Sequence, residues 1–146
     1  MKTLIELYVN EQYDNLLAAM VFKPERLVFV CTDSYPDKLT RKSMLAFLHG
    51  VREDMAVEFL TIGIRPAETL FEKLDEICSC YKDCVIDMTG GSSGMLIAAE
   101  SYCAKHGKKA FYFDYALNRY ISIRGMRDEI EMTPGLKLDV AFCSGS

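Results

Sequence analysis

The sequence predicts an α/β fold: a mostly parallel sheet with helices on both faces and a C-terminal β-hairpin. Three observations predict it. Apolar runs of strand length alternate with helical stripes through about the first hundred residues. Leu27-Val28-Phe29-Val30-Cys31 is apolar at every position, as in a strand covered on both faces. Residues 84–107 read as a buried strand, a glycine turn and a helix, the repeating unit of such sheets.

The elements follow in order. Residues 3–9 form a first strand, with Leu4, Ile5, Leu7 and Val9 apolar, and Asn10-Glu11-Gln12 is a polar loop. A helix over 13–22 is closed by Pro24, because proline and its preceding residue leave helical geometry. A second strand covers 26–32, and Asp33-Ser34-Tyr35-Pro36 is a turn. A helix over 37–52 places Leu39, Met44, Phe47, Leu48 and Val51 on one inward stripe. A strand over 57–62 leads to a helix opened by Pro66 and running to 81, with Leu70, Leu74 and Ile77 inward. The fourth strand covers 84–88, and its helix runs from Gly94. Strands at 110–114 and 120–123 are joined by so short a connection that they must pair antiparallel. A last short strand is expected over 136–142.

Right-handed crossovers leave a strand order of 3-2-1-4-5, Rossmann-like, with the chain reversing direction between the first and fourth strands. Ligands bind in the crevice at that reversal. The loop of Asn10 and Gln12 faces the turn Thr89-Gly90-Gly91-Ser92-Ser93 there, with Thr32, Asp33 and Ser34 beside it.

Size and charge narrow the function. With 146 residues the chain is long enough for one domain with a real core. The net charge is −4, whereas a broad nucleic-acid surface needs a basic excess, so no duplex nucleic acid is expected as a partner. A local turn on an acidic protein can still hold a small anion. No stretch is long and apolar enough for a membrane span, and Glu6 and Asn10 interrupt any signal peptide, so a cytoplasmic protein without a membrane partner is expected. Its six cysteines are then thiols. Cys78, Cys80 and Cys84 have no second ligand pair for zinc, so no metal and no cofactor are expected.

The glycine turn is the chemical centre. Glycines permit a sharp turn and close approach. The first amides of the following helix lack internal partners and lie at its electropositive end, which suits a phosphate. The alternative is a plain tight turn with serine as helix cap. A dinucleotide fingerprint should follow the first strand, where Asn10-Glu11-Gln12 has no glycine, and a Walker A motif is absent. Gly90-Gly91-Ser92-Ser93-Gly94 matches the G-x-S-x-G pattern of a nucleophile elbow. The two histidines, His49 and His106, however, fall near the C-terminal ends of helices, at the far edge of the sheet.

The segment Val85-Ile86-Asp87-Met88-Thr89-Gly90-Gly91-Ser92-Ser93-Gly94-Met95 resembles the "TGGT/S" segment of CRISPR-associated Rossmann-fold (CARF) domains. The resemblance is closest to the sensor domain of the cyclic-oligoadenylate-activated CRISPR ancillary nucleases. Residues 7–16, Phe111-Tyr112-Phe113-Asp114 and Asn118-Arg119 fit the family's first and later strands, so the resemblance covers essentially the whole chain. It implies a homodimer that binds a cyclic oligoadenylate, cyclic tetra-adenylate by preference, across its two-fold axis as a second messenger of type III CRISPR antiviral defence. By this resemblance Thr89, Gly90, Gly91, Ser92 and Ser93 contact phosphate and ribose. Asn10, Gln12, Thr32, Asp33 and Ser34 line the base and ribose pockets. Many relatives carry Lys directly after the segment, where this chain has Ser93, so phosphate binding rests more on amides and hydroxyls. A ring nuclease, in which a ribose 2'-hydroxyl attacks its own phosphate without metal, and a ligand-free dimerisation module are the alternatives; no catalytic residue is assigned. The sensor is expected over 1–124. Residues 125–146 are expected to form an extension or the start of a linker to an effector domain absent from this chain.

Overall fold

Six strands form one sheet in the order β3-β2-β1-β4-β5-β6. The structure is a computed structural model that describes residues 1–10, 12–32, 35–63 and 65–131, with the side chains of 12–14, 66 and 67 outside the described set. The elements are β1 (Thr3–Leu7), α1 (Gln12–Phe22), β2 (Arg26–Cys31), α2 (Lys38–Val51), β3 (Ala56–Thr61) and α3 (Pro66–Cys80). Then come β4 (Cys84–Asp87), α4 (Ser93–His106), β5 (Lys109–Asp114), β6 (Arg119–Arg124) and a short α5 (Arg127–Glu131).

Strands β1 to β5 pair parallel, and β6 returns antiparallel on β5 as the short 114–119 connection requires. The sheet is therefore Rossmann-like with a terminal hairpin. β1 and β4 are central and buried at every position. Alternation of side chains across the sheet divides the core in two. On one face Leu4, Tyr8, Phe29, Val85 and Phe111 pack with Leu17 and Ala18 of α1, Met44 and Leu48 of α2, and Ile130 of α5. On the other, Ile5, Leu7, Val28 and Ile86 pack with Leu70, Leu74 and Ile77 of α3 and Met95, Ala99 and Cys103 of α4.

Some expectations are corrected. Of the inward stripe expected on α2, Met44 and Leu48 are buried, but Leu39 is 74% and Phe47 41% exposed. Asp37 caps the helix by accepting the Thr40 N–H, and Leu39, five residues and about 140° around the helix from Met44, points away from the face that Met44 and Leu48 bury. Strands β1 and β4 are shorter than expected, ending at Leu7 and Asp87, although the Tyr8 and Met88 N–H groups still bond the Val30 and Phe111 carbonyls before the chain enters the crevice loops. Helix α5 was not foreseen. Met126 and Ile130, beyond the boundary expected at 124, lie in the core. The strand expected over 136–142 falls outside the described residues.

Candidate functional site

The crevice lies at the C-terminal ends of β1 and β4, the neighbouring strands between which the winding reverses. β1 ends on an amide clamp. Asn15 of α1, only 1% exposed, accepts the Val9 N–H at 3.1 Å and donates to the Val9 carbonyl at 2.6 Å. One side-chain amide thus satisfies both backbone groups of a residue that has left the ladder. Tyr8 N–H is bonded to the Val30 carbonyl at 3.0 Å, which keeps the exit aligned with β2. Asn10 follows, exposed at the rim.

β4 ends on its own carboxylate. Asp87, 1% exposed, accepts the Thr89 N–H at 2.9 Å and the Thr89 hydroxyl at 2.5 Å. Threonine Oγ1 in turn accepts the Phe113 N–H at 2.8 Å. This is an Asx-type turn tied laterally to β5. The Thr89 hydroxyl is therefore engaged on both sides within the protein. Asp87 also stands in register with Glu6 of β1, itself 2% exposed, and with Phe111 on its other side.

The two glycines seat the turn on β1. A Cβ at Gly90 would stand 2.9 Å from the Leu7 carbonyl oxygen and 3.1 Å from Val9 Cγ1. Gly91 has φ of +93°, and a Cβ there would lie 3.0 Å from Leu7 Cβ. The close approach that these glycines permit is thus first of all to the protein's own first strand. In the sequence the same glycines are read as space for a ligand; here protein atoms fill the space where their side chains would stand.

Beyond the glycines, Ser92 caps α4, its hydroxyl accepting the Met95 N–H at 3.4 Å. Ser92 and Ser93 are exposed. The first amides of the helix have no intrahelical acceptor and carry the positive end of its dipole. The rim of the crevice therefore offers a helix N-terminus with two serine hydroxyls, an arrangement that takes an oxyanion.

Beside the crevice, half-buried Thr32 follows β2. The Tyr35 N–H bonds the Thr32 carbonyl at 3.3 Å, which brings Tyr35 and Arg41 close to it. The guanidinium lies 4.8 Å above the Tyr35 ring and donates to its hydroxyl at 2.6 Å. Burial pushes the Cys31 thiol up to about 12 despite Arg41 nearby. Burial likewise raises Tyr8, with Cys31 and Asp37 adding to the shift. This thiol and phenol are buried and stay uncharged at neutral pH, and the charges near them are the Arg41 guanidinium and the Asp37 carboxylate.

Of the residues singled out in the sequence, Asn10, Thr89, Gly90, Gly91, Ser92 and Ser93 lie on the two facing junctions, and Thr32 follows the adjacent strand. Gln12 opens α1, while Asp33, Ser34 and the Gln12 side chain lie outside the described residues. Sequence reasoning missed Asn15 and Asp87, which hold both junctions. The available signals were an acid closing an otherwise apolar run two residues before Thr89, and an asparagine in the second turn of α1. His106 ends the 14-residue helix that Ser92 caps, about 20 Å from it at 1.5 Å per residue. His49 is in the last turn of α2. Ser92 has no histidine base, and the elbow chemistry is not assembled.

A doubly wound sheet with a capped helix and a Thr-Gly-Gly-Ser turn at its reversal point defines a Rossmann-like fold. Solved structures bear this out. The chain superposes on Can2 from Sulfobacillus thermosulfidooxidans, solved in complex with cyclic tetra-adenylate, with a TM-score of 0.64 and 18% identity over 84% of this chain and 35% of that one. On Enterococcus italicus Csm6, bound to cyclic hexa-2'-fluoro-hexa-dAMP, the TM-score is 0.68 and the identity 14%, over 99% of this chain and 39% of that one. A type III CRISPR defence DNA nuclease activated by cyclic oligoadenylate matches with a TM-score of 0.59 and 17% identity, over 84% of this chain and 20% of that one. The chain thus spans between a fifth and two fifths of these proteins, and at such identities the likeness is one of fold. No protein-family model matches the chain, and no curated protein matches it by sequence. Among the described residues, no helix is long and apolar enough to cross a membrane.

Proposed function

We propose that this domain senses a cyclic oligoadenylate, bound in the β1–β4 crevice across a homodimer, as the second messenger of type III CRISPR defence. The observation that carries the reading is the α4 N-terminus. Its cap, Ser92, and its first residue, Ser93, are exposed at the reversal point, behind a turn rigidly fixed by Asp87 and the glycines. Backbone amides and serine hydroxyls there hold a ligand phosphate, while Asn10 and Thr32 lie where ribose or base would rest. Thr89, with its hydroxyl engaged by Asp87 and Phe113, holds the turn in place. The fold shared with structures solved in complex with cyclic oligonucleotides supports this ligand class.

The dimer has a candidate surface on α4. Met95, Ala98 and Ala99 are buried against the sheet and α3, while Ile97 is 67% exposed on the opposite side of the helix. A two-fold axis beside α4 brings two such turns together, matching the symmetry of an even-numbered ring. An effector domain elsewhere in a longer protein and a cytoplasmic location belong to the same proposal.

Calorimetric titration with cyclic tetra- and hexa-adenylate, with sedimentation of the free and loaded protein, tests it. Saturable binding of one ring per two chains supports the reading, and no binding of either ring overturns it. Chromatography of the same incubations reads whether linear products appear, which distinguishes a ring nuclease from a sensor.

A further inference from the structure

The two junctions of the crevice carry no cation among their described residues. The junction after β4, residues 88–95, offers amides and hydroxyls, and residues 8–10 after β1 have no basic side chain. A polyanionic ring bound there needs positive charge from another element.

Helix α2 begins at the pole where the strands end, because the helix of a parallel crossover runs back against its strands. Arg41 stands near that start. A row of rings fixes its place relative to the crevice. Tyr8, at the exit of β1, meets Phe29 edge-on with centroids 6.2 Å apart, Phe29 stacks on Phe59 at 5.0 Å, and Phe59 meets the edge of Tyr35 at 6.2 Å. The Arg41 guanidinium closes the row, 4.8 Å from the Tyr35 centroid.

The protein leaves this guanidinium largely unused. Of its five N–H donors, one is engaged, by the neutral Tyr35 hydroxyl at 2.6 Å, and its buried Nε has no acceptor. Arg26, Arg52, Arg65, Arg124 and Arg127 each form an ion pair with a carboxylate; among the described residues Arg41 and Arg119 do not. Arg119 is exposed, as are Lys38 and Lys42 on α2, and water solvates such charges; Arg41 is half-buried. Asp37, the acid one turn before it, is engaged as the helix cap by the Thr40 N–H. A charge withdrawn from water without a carboxylate is costly until an anion arrives.

We propose that Arg41 is the cation of the crevice. This rests on the cyclic-oligoadenylate reading: the α4 N-terminus takes one phosphate of the ring from the β4 side, and Arg41 takes another from the β2 side. The Tyr35 ring holds the guanidinium flat and its hydroxyl fixes one nitrogen, so the planar fork is set for phosphate oxygens before the ligand arrives. Tyr35 is therefore a positioning residue, and a two-fold dimer brings two such arginines to one ring.

The test is calorimetric titration of the full chain with cyclic tetra- and hexa-adenylate at low and high salt, beside thermal unfolding of the free proteins. Arg41→Met keeps an apolar stem on Tyr35 and removes the charge and the fork. It should unfold close to the parent, since no carboxylate loses a partner, and bind the ring about tenfold or more weakly at low salt. Its affinity should also depend less on salt than the parent's, because one screened charge contact is gone. Arg41→Lys keeps the charge without the fork, so it should lose less affinity and keep the parent's salt dependence; it carries the test if Arg41→Met does not fold. A folded Arg41→Met that binds as tightly as the parent, or weakens by the same factor at both salts, overturns this inference alone. An Arg41→Lys that weakens as much as Arg41→Met also overturns it. A parent that binds neither ring overturns the ligand reading and this inference with it.

Discussion

The two junctions that meet in the crevice are held by different means. After β1 the backbone is gripped from outside, by the Asn15 amide of α1 on both polar groups of Val9. After β4 it is gripped from within, by the carboxylate of Asp87 on Thr89, two residues on. The first junction needs no glycine, because the side chain that holds it comes from the far side. The second needs two, because it is laid directly on the first: both Gly90 and Gly91 abut Leu7. The β4 turn is thus built on the β1 junction as on a floor. A ligand at the exposed Ser92 and Ser93 would meet a surface whose position depends on residues it never touches.

The largest expected effect tests the floor itself. Gly91→Val puts a β-branched side chain at φ of +93° and a Cβ 3.0 Å from Leu7, combining backbone strain with overpacking. It should lower stability by about 3 kcal/mol in urea denaturation. A variant as stable as the parent would mean that the turn does not rest on Leu7. Next is Asn15→Ala, which leaves the Val9 N–H and carbonyl without their clamp. A loss of about 2 kcal/mol is expected, and a loss under about 0.5 kcal/mol would show that water replaces the clamp readily.

Thr89→Val keeps the shape of the side chain but deprives Asp87 of a donor and Phe113 of an acceptor. We expect about 1.5 kcal/mol of destabilisation, with Thr89→Ser close to the parent. If Ser and Val behave alike, the hydroxyl does not hold the turn. Ser92→Ala removes an N-cap whose bond to Met95 is already 3.4 Å long, so only about 0.5 kcal/mol of stability should be lost. Its titration with cyclic tetra-adenylate should weaken by a larger factor than that loss explains; unchanged affinity would remove Ser92 from the site. The smallest effect sharpens the comparison most. Asn15→Ala and Thr89→Val together should depart from additivity by about 0.5 kcal/mol, because one junction supports the other. Strict additivity would make them independent.

Much of this was legible in the sequence. Apolar runs located all six strands, because a strand buried on both faces can carry few polar side chains. The short 114–119 connection gave the antiparallel hairpin. The Thr-Gly-Gly-Ser segment marked the turn, since successive glycines before a helical run have few other structural uses. Leu39 does not share the Met44–Leu48 stripe: it lies about 140° around the helix from Met44, so it is exposed once that stripe faces the core. In the sequence Asp87 reads as one more strand residue, because its partner is a hydroxyl two positions on, in a turn whose conformation the sequence does not state.

What the sequence determined by itself is the order of the elements and the residues available at each loop, since both follow from local periodicity and turn chemistry. Only the tertiary structure decided what those residues face. Leu7 and Gly91 are far apart in the chain and become neighbours only when β1 and β4 pair in register, Ile5 beside Ile86. The same pairing fills the space beside the glycines with protein and places Glu6 beside Asp87. It leaves the first amides of α4 without intrahelical partners at the rim. Pairing between distant segments carries this information because a side chain's partner is fixed by register across the sheet, and local sequence encodes that register only through the packing it permits.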